Sequence, residues 1–172
     1  MFVCRFGLVF GQNDIHHWET AVKADDSWAY FVGNEEPLEN WYLSDFDDSD
    51  WPQAQGGIGF GDNDDATTID LCEAVYIRLT FEIFDTTTIK AAVIHADYDD
   101  AFVAYWNGHE IARENIGYRG TRPAFDDETD YFREARLYRN VLPENFLLNQ
   151  QELQQSLQIG TNTLAIQVHN DG

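Results

Sequence analysis

Basic residues are scarce in this chain. Ten lysines and arginines stand against 31 aspartates and glutamates, a formal net charge of −21 over 172 residues. Nucleic acids and anionic membranes bind basic faces, so this balance argues against both as partners. It agrees with calcium, with neutral sugars, or simply with solubility. Cysteine is scarcer still: Cys4 and Cys72 are the two present, with no CxxC and no metal-ligand spacing. No apolar run approaches the roughly 20 residues of a membrane-spanning helix. The glycines of 56–61 lack a P-loop lysine and a strand-then-helix setting, and there is no HExxH and no Gly-x-Ser-x-Gly. Among 31 acids some pair always has glycosidase spacing, so a carboxylate pair carries no weight. The chain reads as a non-enzyme.

Apolar residues make up 44% and aromatics 15%, enough for the core of one domain. Most of the apolar residues alternate with polar ones. Val75, Ile77, Leu79, Phe81 and Ile83 share one face of a strand, and Tyr76, Arg78, Thr80 and Glu82 share the other, which predicts a half-buried strand with one wet face. Trp18–Val22 and Trp28–Val32 read as strands joined by a turn at Ala24–Ser27. Residues 91–115 read as three strands of a meander, turning at Asp99-Asp100 and at Asn107-Gly108, the latter a strong type I′ hairpin signal. In the middle strand Phe102, Ala104 and Trp106 point one way and Val103 and Tyr105 the other, so Trp106 reads as core.

The stretch 41–51, WYLSDFDDSDW, reads as turns pinned by Trp41, Phe46 and Trp51. Gly117 to Asn140 reads as a long polar loop with a strand over Tyr131–Tyr138, a length typical of functional or decorating loops. Asn149 and Glu152 have capping-box spacing ahead of Leu153 and Leu157, which predicts a short helix near 149–158 stopped by Gly160. Residues 1–11 fit two readings, the remnant of a secretory signal peptide or an ordinary first strand.

Taken in order, Trp41, FDDSDW, GGIGFGD, VYIRLTFEI, YDDAFVAYWNGHEIAREN and GTNTLAIQVHN resemble a secreted module of Bacteroidetes-type bacteria with the galactose-binding-like jelly-roll fold. Such modules stand beside spore-coat-kinase-like, lamin-tail, phosphoesterase or glycosidase domains. Tyr105-Trp-Asn-Gly108 with Gly160-Thr-Asn-Thr-Leu-Ala165 is similar to the sugar-binding jelly roll of family 2 glycosidases. The resemblance covers about Ser27 to Asn170. It implies an all-β jelly-roll β-sandwich over 12–172 that lacks a closing C-terminal strand. It also implies a secreted or cell-surface location and a non-catalytic accessory role beside neighbouring domains of a larger chain. Carbohydrate binding, to a polysaccharide or other glycan, is the favoured role; a structural or adhesive spacer is the alternative.

Sugar binding calls for exposed aromatic rings with polar groups beside them. Tyr98, Asp99 and Asp100 at the meander turn, with Tyr118 and Arg119 in the long loop, are the candidates. No cofactor is required. A structural calcium would suit the oxygen-rich loop Asp62, Asn63, Asp64 and Asp65, with Asp45, Asp47 and Asp48 as a second set. Neither has the EF-hand glutamate, and acids that form turns without metal are the plainer reading. His16, His17, His95, His109 and His169 read as structural histidines.

Overall fold

The computed structural model describes residues 2–12, 15–60 and 65–171. They form an all-β, jelly-roll-like sandwich with one short α-helix. The strands are β1 (Val3–Gln12), β2 (Ile15–Val22), β3 (Ser27–Gly33), β4 (Gln53–Gln55), β5 (Ile58–Gly59), β6 (Thr67–Thr68), β7 (Ala74–Ile83), β8 (Ile89–Asp97), β9 (Ala101–Trp106), β10 (His109–Glu114), β11 (Glu144–Leu147) and β12 (Gly160–His169). One sheet has the order β11-β8-β1-β2 and the other β10-β9-β12-β7-β3-β4, both antiparallel throughout; β5 and β6 make a small parallel pair.

The two sheets close on one aromatic core. Phe6 of β1 meets Trp106 of β9 edge-on at 5.0 Å and Phe81 of β7 at 5.8 Å, and Phe6, Phe102, Trp106, Leu164 and Ile166 have no exposed surface. Each such side chain contributes about 1.5–3 kcal/mol by leaving water. Trp106 is therefore core, as its strand phase implies. Strand β1 takes in most of the 1–11 segment that also fits a leader remnant, with Cys4, Phe6 and Leu8 in the core. Both cysteines are free and buried, and burial pushes the Cys4 thiol up to about 12.

Three expectations about the strands are corrected. The meander is a single hairpin: β9 and β10 pair around Asn107 (φ 50°) and Gly108 (φ 83°), but β8 belongs to the opposite sheet, so 98–100 is a crossover between sheets and not a tight turn. A tight turn and a sheet switch share the same local pattern, apolar strand, acidic break, apolar strand. The second face of β7 is not wet along its length. Tyr76 and Arg78 lie under the turns of 41–51, and Tyr76 belongs to a second apolar cluster with Trp41, Val103 and Tyr105. The Arg78 guanidinium organises those turns: Nε donates to Asp48 Oδ2 (2.8 Å), Nη1 to the Leu43 carbonyl (3.0 Å) and to the Trp41 carbonyl, Nη2 to the Phe46 carbonyl (3.3 Å). Finally, Tyr131–Tyr138 is not a strand. The loop there ends in a 3-10 turn (Leu137–Arg139), and the strand is β11, which pairs with β8.

The helix α1 (Gln150–Ser156) has the expected capping box, Asn149 accepting from Gln151 and Glu152 while Glu152 accepts from the Asn149 amide. Its C-cap is Leu157, and Gly160 (φ 92°) instead opens β12.

Candidate functional site

The crossover residues form a buried network, not a ligand platform. Tyr98 has no exposed surface and Asp100 is 1% exposed. The Arg133 guanidinium lies 3.5 Å over the Tyr98 ring, donates to the Tyr98 carbonyl and, through Nη2, to Glu144 Oε1 (3.1 Å). Tyr98 Oη donates to Glu144 Oε2 (2.9 Å). Burial works against the Glu144 carboxylate, but the bonds from Arg133 and Tyr98 outweigh it and hold its pKa below the usual value. Asp100 accepts from the amides of Arg133 (2.5 Å) and Asp171 (2.8 Å). Asp97 accepts from the amides of Arg136 and Leu137. Together these groups moor the long loop to the sheet. Asp99 is half-buried beside a cavity of about 60 Å³, and burial pushes its carboxyl up to about 6.

Tyr118 is 84% exposed. Arg119 bonds to the Glu110 carbonyl (2.9 Å) and pairs with Glu152 (2.6 Å). Glu110 faces Tyr105, four residues along β9 from its start next to Asp100, so about 15 Å of strand separates the two halves of the expected site. Asp62, Asn63 and Asp64 lie outside the described residues. Asp65 is described, and among the described residues no three His, Cys, Asp or Glu side chains gather to hold a metal ion. Asp48 is committed to Arg78.

A different surface combines an exposed ring with polar groups. Paired strands place facing residues on one side of a sheet. On the outer face of the four-stranded sheet three rows follow from the register: Asn145–His95–Arg5, then Leu147–Val93–Gly7–Thr20, then Ala91–Val9–Trp18. Trp18 is 55% exposed. Its indole reaches over Gly7, where a β-carbon would stand 3.5 Å from Trp18 Cε3 and 3.6 Å from Val93 Cγ1. Arg5 braces the platform by donating to Thr20 Oγ1 through Nε (3.1 Å) and Nη2 (2.6 Å). None of the residues in these three rows is acidic. In a chain of charge −21 this makes the face distinct.

Sequence reasoning missed this platform because it depends on which strands lie side by side. The one local signal was Gly7 inside an apolar strand, a mark of close approach. No family model matches this chain, and no curated protein matches it. Among the described residues no helix is long and apolar enough to cross a membrane.

Proposed function

We propose that this protein is a non-catalytic, carbohydrate-binding module of a secreted or cell-surface protein, and that the outer face of the four-stranded sheet is its glycan-binding surface. The observation that carries the reading is Trp18. Its ring lies against Gly7 on a sheet face without exposed acids, and Arg5, His95 and Asn145 supply hydrogen-bonding groups in the row beyond Gly7. An aromatic face stacks on the C–H groups of a pyranose ring while the polar groups take its hydroxyls. A flat sheet face suits an extended polysaccharide chain better than a small free sugar.

Affinity electrophoresis through gels that contain neutral polysaccharides tests this. Wild-type protein is retarded by at least one of them, and Trp18→Ala migrates as in a blank gel with an unchanged melting temperature. Absence of retardation across a broad panel, with the protein folded, overturns the reading. A structural calcium at Asp62–Asp65 is a separate proposal: if one binds, EDTA lowers the melting temperature and calcium restores it, and a melting curve indifferent to both removes the metal.

A further inference from the structure

The six-stranded sheet is forked. β3 pairs with β7 only from Ala29↔Arg78 to Gly33↔Ala74, whereas β12 accompanies β7 to its end at Gly160↔Ile83. At Ala29 the start of β3 turns aside to pair with β4, Ser27 facing Gln55 and Ala29 facing Gln53. A cleft of about 400 Å³ opens in the fork. That volume falls in the range of small-molecule sites.

The polar wall of this cleft has an unusual balance. Arg78 lines it but spends four of its five N–H donors on Asp48 and the carbonyls of the 41–51 turns, and its charge is paired with Asp48. Asp48 keeps Oδ1 after Oδ2 accepts from Arg78. Asp26 keeps Oδ1 after Oδ2 accepts the Lys23 amide (2.8 Å). Gln53 Oε1 accepts the Ser27 hydroxyl (3.3 Å), which leaves its Nε2 as a donor. The Thr80 hydroxyl completes the set, and Leu79 and Phe81 bring apolar surface. An anion would meet two carboxylates and no uncommitted cation. Vicinal hydroxyls fit, since each donates to a carboxylate oxygen and accepts from the amide or the threonine hydroxyl.

We infer that the β3/β7 fork is a second, pocket-type site that takes one neutral sugar residue through Asp26, Asp48, Gln53 and Thr80. This rests on the glycan-binding reading and deepens it. The fork lies on the other sheet from Trp18, so one copy of the protein engages sugar at two places, one by stacking and one by hydrogen bonds.

Saturation-transfer NMR on the full chain tests the pocket with the methyl glycosides of glucose, galactose and mannose, and with glucuronic acid as the anionic probe. At least one neutral glycoside gives a signal, Gln53→Ala with Thr80→Val removes it, and Trp18→Ala retains it. Glucuronic acid gives none. Both fork positions are exposed, and circular dichroism checks that the double variant is folded. Silence from all three glycosides overturns the inference, as does a signal that survives the double variant or an equal response to glucuronic acid. Polysaccharide retardation of the wild type separates the two readings. Wild-type retardation without glycoside binding removes the fork and leaves the Trp18 surface; absence of both in the wild type removes the glycan reading itself.

Discussion

Asn107 and Asn162 are locked together across the sheet: Asn107 Nδ2 donates to Asn162 Oδ1 at 2.8 Å. The same Asn162 oxygen accepts Trp106 Nε1 (2.9 Å), and Asn107 Oδ1 accepts the Thr163 amide (2.8 Å). Asn162 Nδ2 returns to the carbonyls of Gln158 (3.0 Å) and Gly160 (2.8 Å). The two motifs YWNG and GTNTLA, 55 residues apart, are thus one structural device. It seats the hairpin turn against the start of β12 and satisfies the indole nitrogen of a tryptophan with no exposed surface.

Replacing Asn162 tests that device. Asn162→Ala strands the buried Trp106 N–H and leaves two carbonyls without their donor. The expected cost is about 2–3 kcal/mol in urea unfolding. A loss below about 0.5 kcal/mol, the range of an ordinary surface change, would show that the network is not structural.

Arg133 and Tyr98 carry a second test, which separates mooring from binding. Arg133→Met leaves the Glu144 and Asp97 carboxylates without the guanidinium that joins them, and the expected loss is about 3 kcal/mol or more. Tyr98→Phe removes one bond to Glu144, at about 1 kcal/mol. The Tyr98→Phe protein keeps wild-type polysaccharide retardation, because the ring is enclosed. Reduced retardation at unchanged stability would return Tyr98 to the binding surface.

Gly7 gives a test of the platform that does not touch the tryptophan. Gly7→Ala places its methyl in ordinary contact with Trp18 and Val93 and is tolerated. Gly7→Val extends past that contact and lifts the indole from the sheet. Valine suits a strand, so the fold persists. Retardation falls severalfold for Val and little for Ala, with tryptophan fluorescence reporting the displaced ring. Equal retardation for both variants would mean that the seat of Trp18 on Gly7 is irrelevant to binding.

The dependence of stability on pH follows from two groups that line the same small cavity, Asp99 and His169. Burial pulls the His169 pKa down from 6.5 to about 4. Its contribution to stability is complete above pH 6.5 and is lost as pH falls toward 4, because the unfolded chain binds that proton first. Burial pushes Asp99 up from 3.8 to about 6. Its contribution is complete below pH 3.8 and is lost as pH rises through 6. Between about pH 4 and 6 the two oppose one another. Asp99→Asn leaves His169 unopposed, so stability falls more steeply from pH 6.5 to 4 than in wild type, and it gains at pH 7. Urea midpoints across this range check both statements, and identical slopes for the two proteins would refute them.

Local pattern reached far into the fold. Alternation identified β7 and β9 and put Trp106 inside; Asn107-Gly108 identified the hairpin, and Asn149 with Glu152 the helix start. Each is a matter of backbone preference or side-chain phase within a few residues. The four-residue β11 was not legible, since so short a strand owes its extended shape to pairing with β8. Arg78 reads as solvated from its sequence because the turns that bury it are remote in the chain, its bonds to them spanning 30 to 37 residues.

What the sequence determined by itself is therefore several of the longer strands, the inward place of Trp106 and the all-β class, because periodicity and turn chemistry are local. Tertiary structure alone decided which strands share a sheet, and with that the candidate surfaces. It turned Tyr98–Asp100 from a presented turn into a buried crossover, brought Trp18 over Gly7 on a face without exposed acids, and opened the fork between β3 and β7. Those are relations between distant segments, set by how two sheets bury one aromatic core, and no local pattern encodes them.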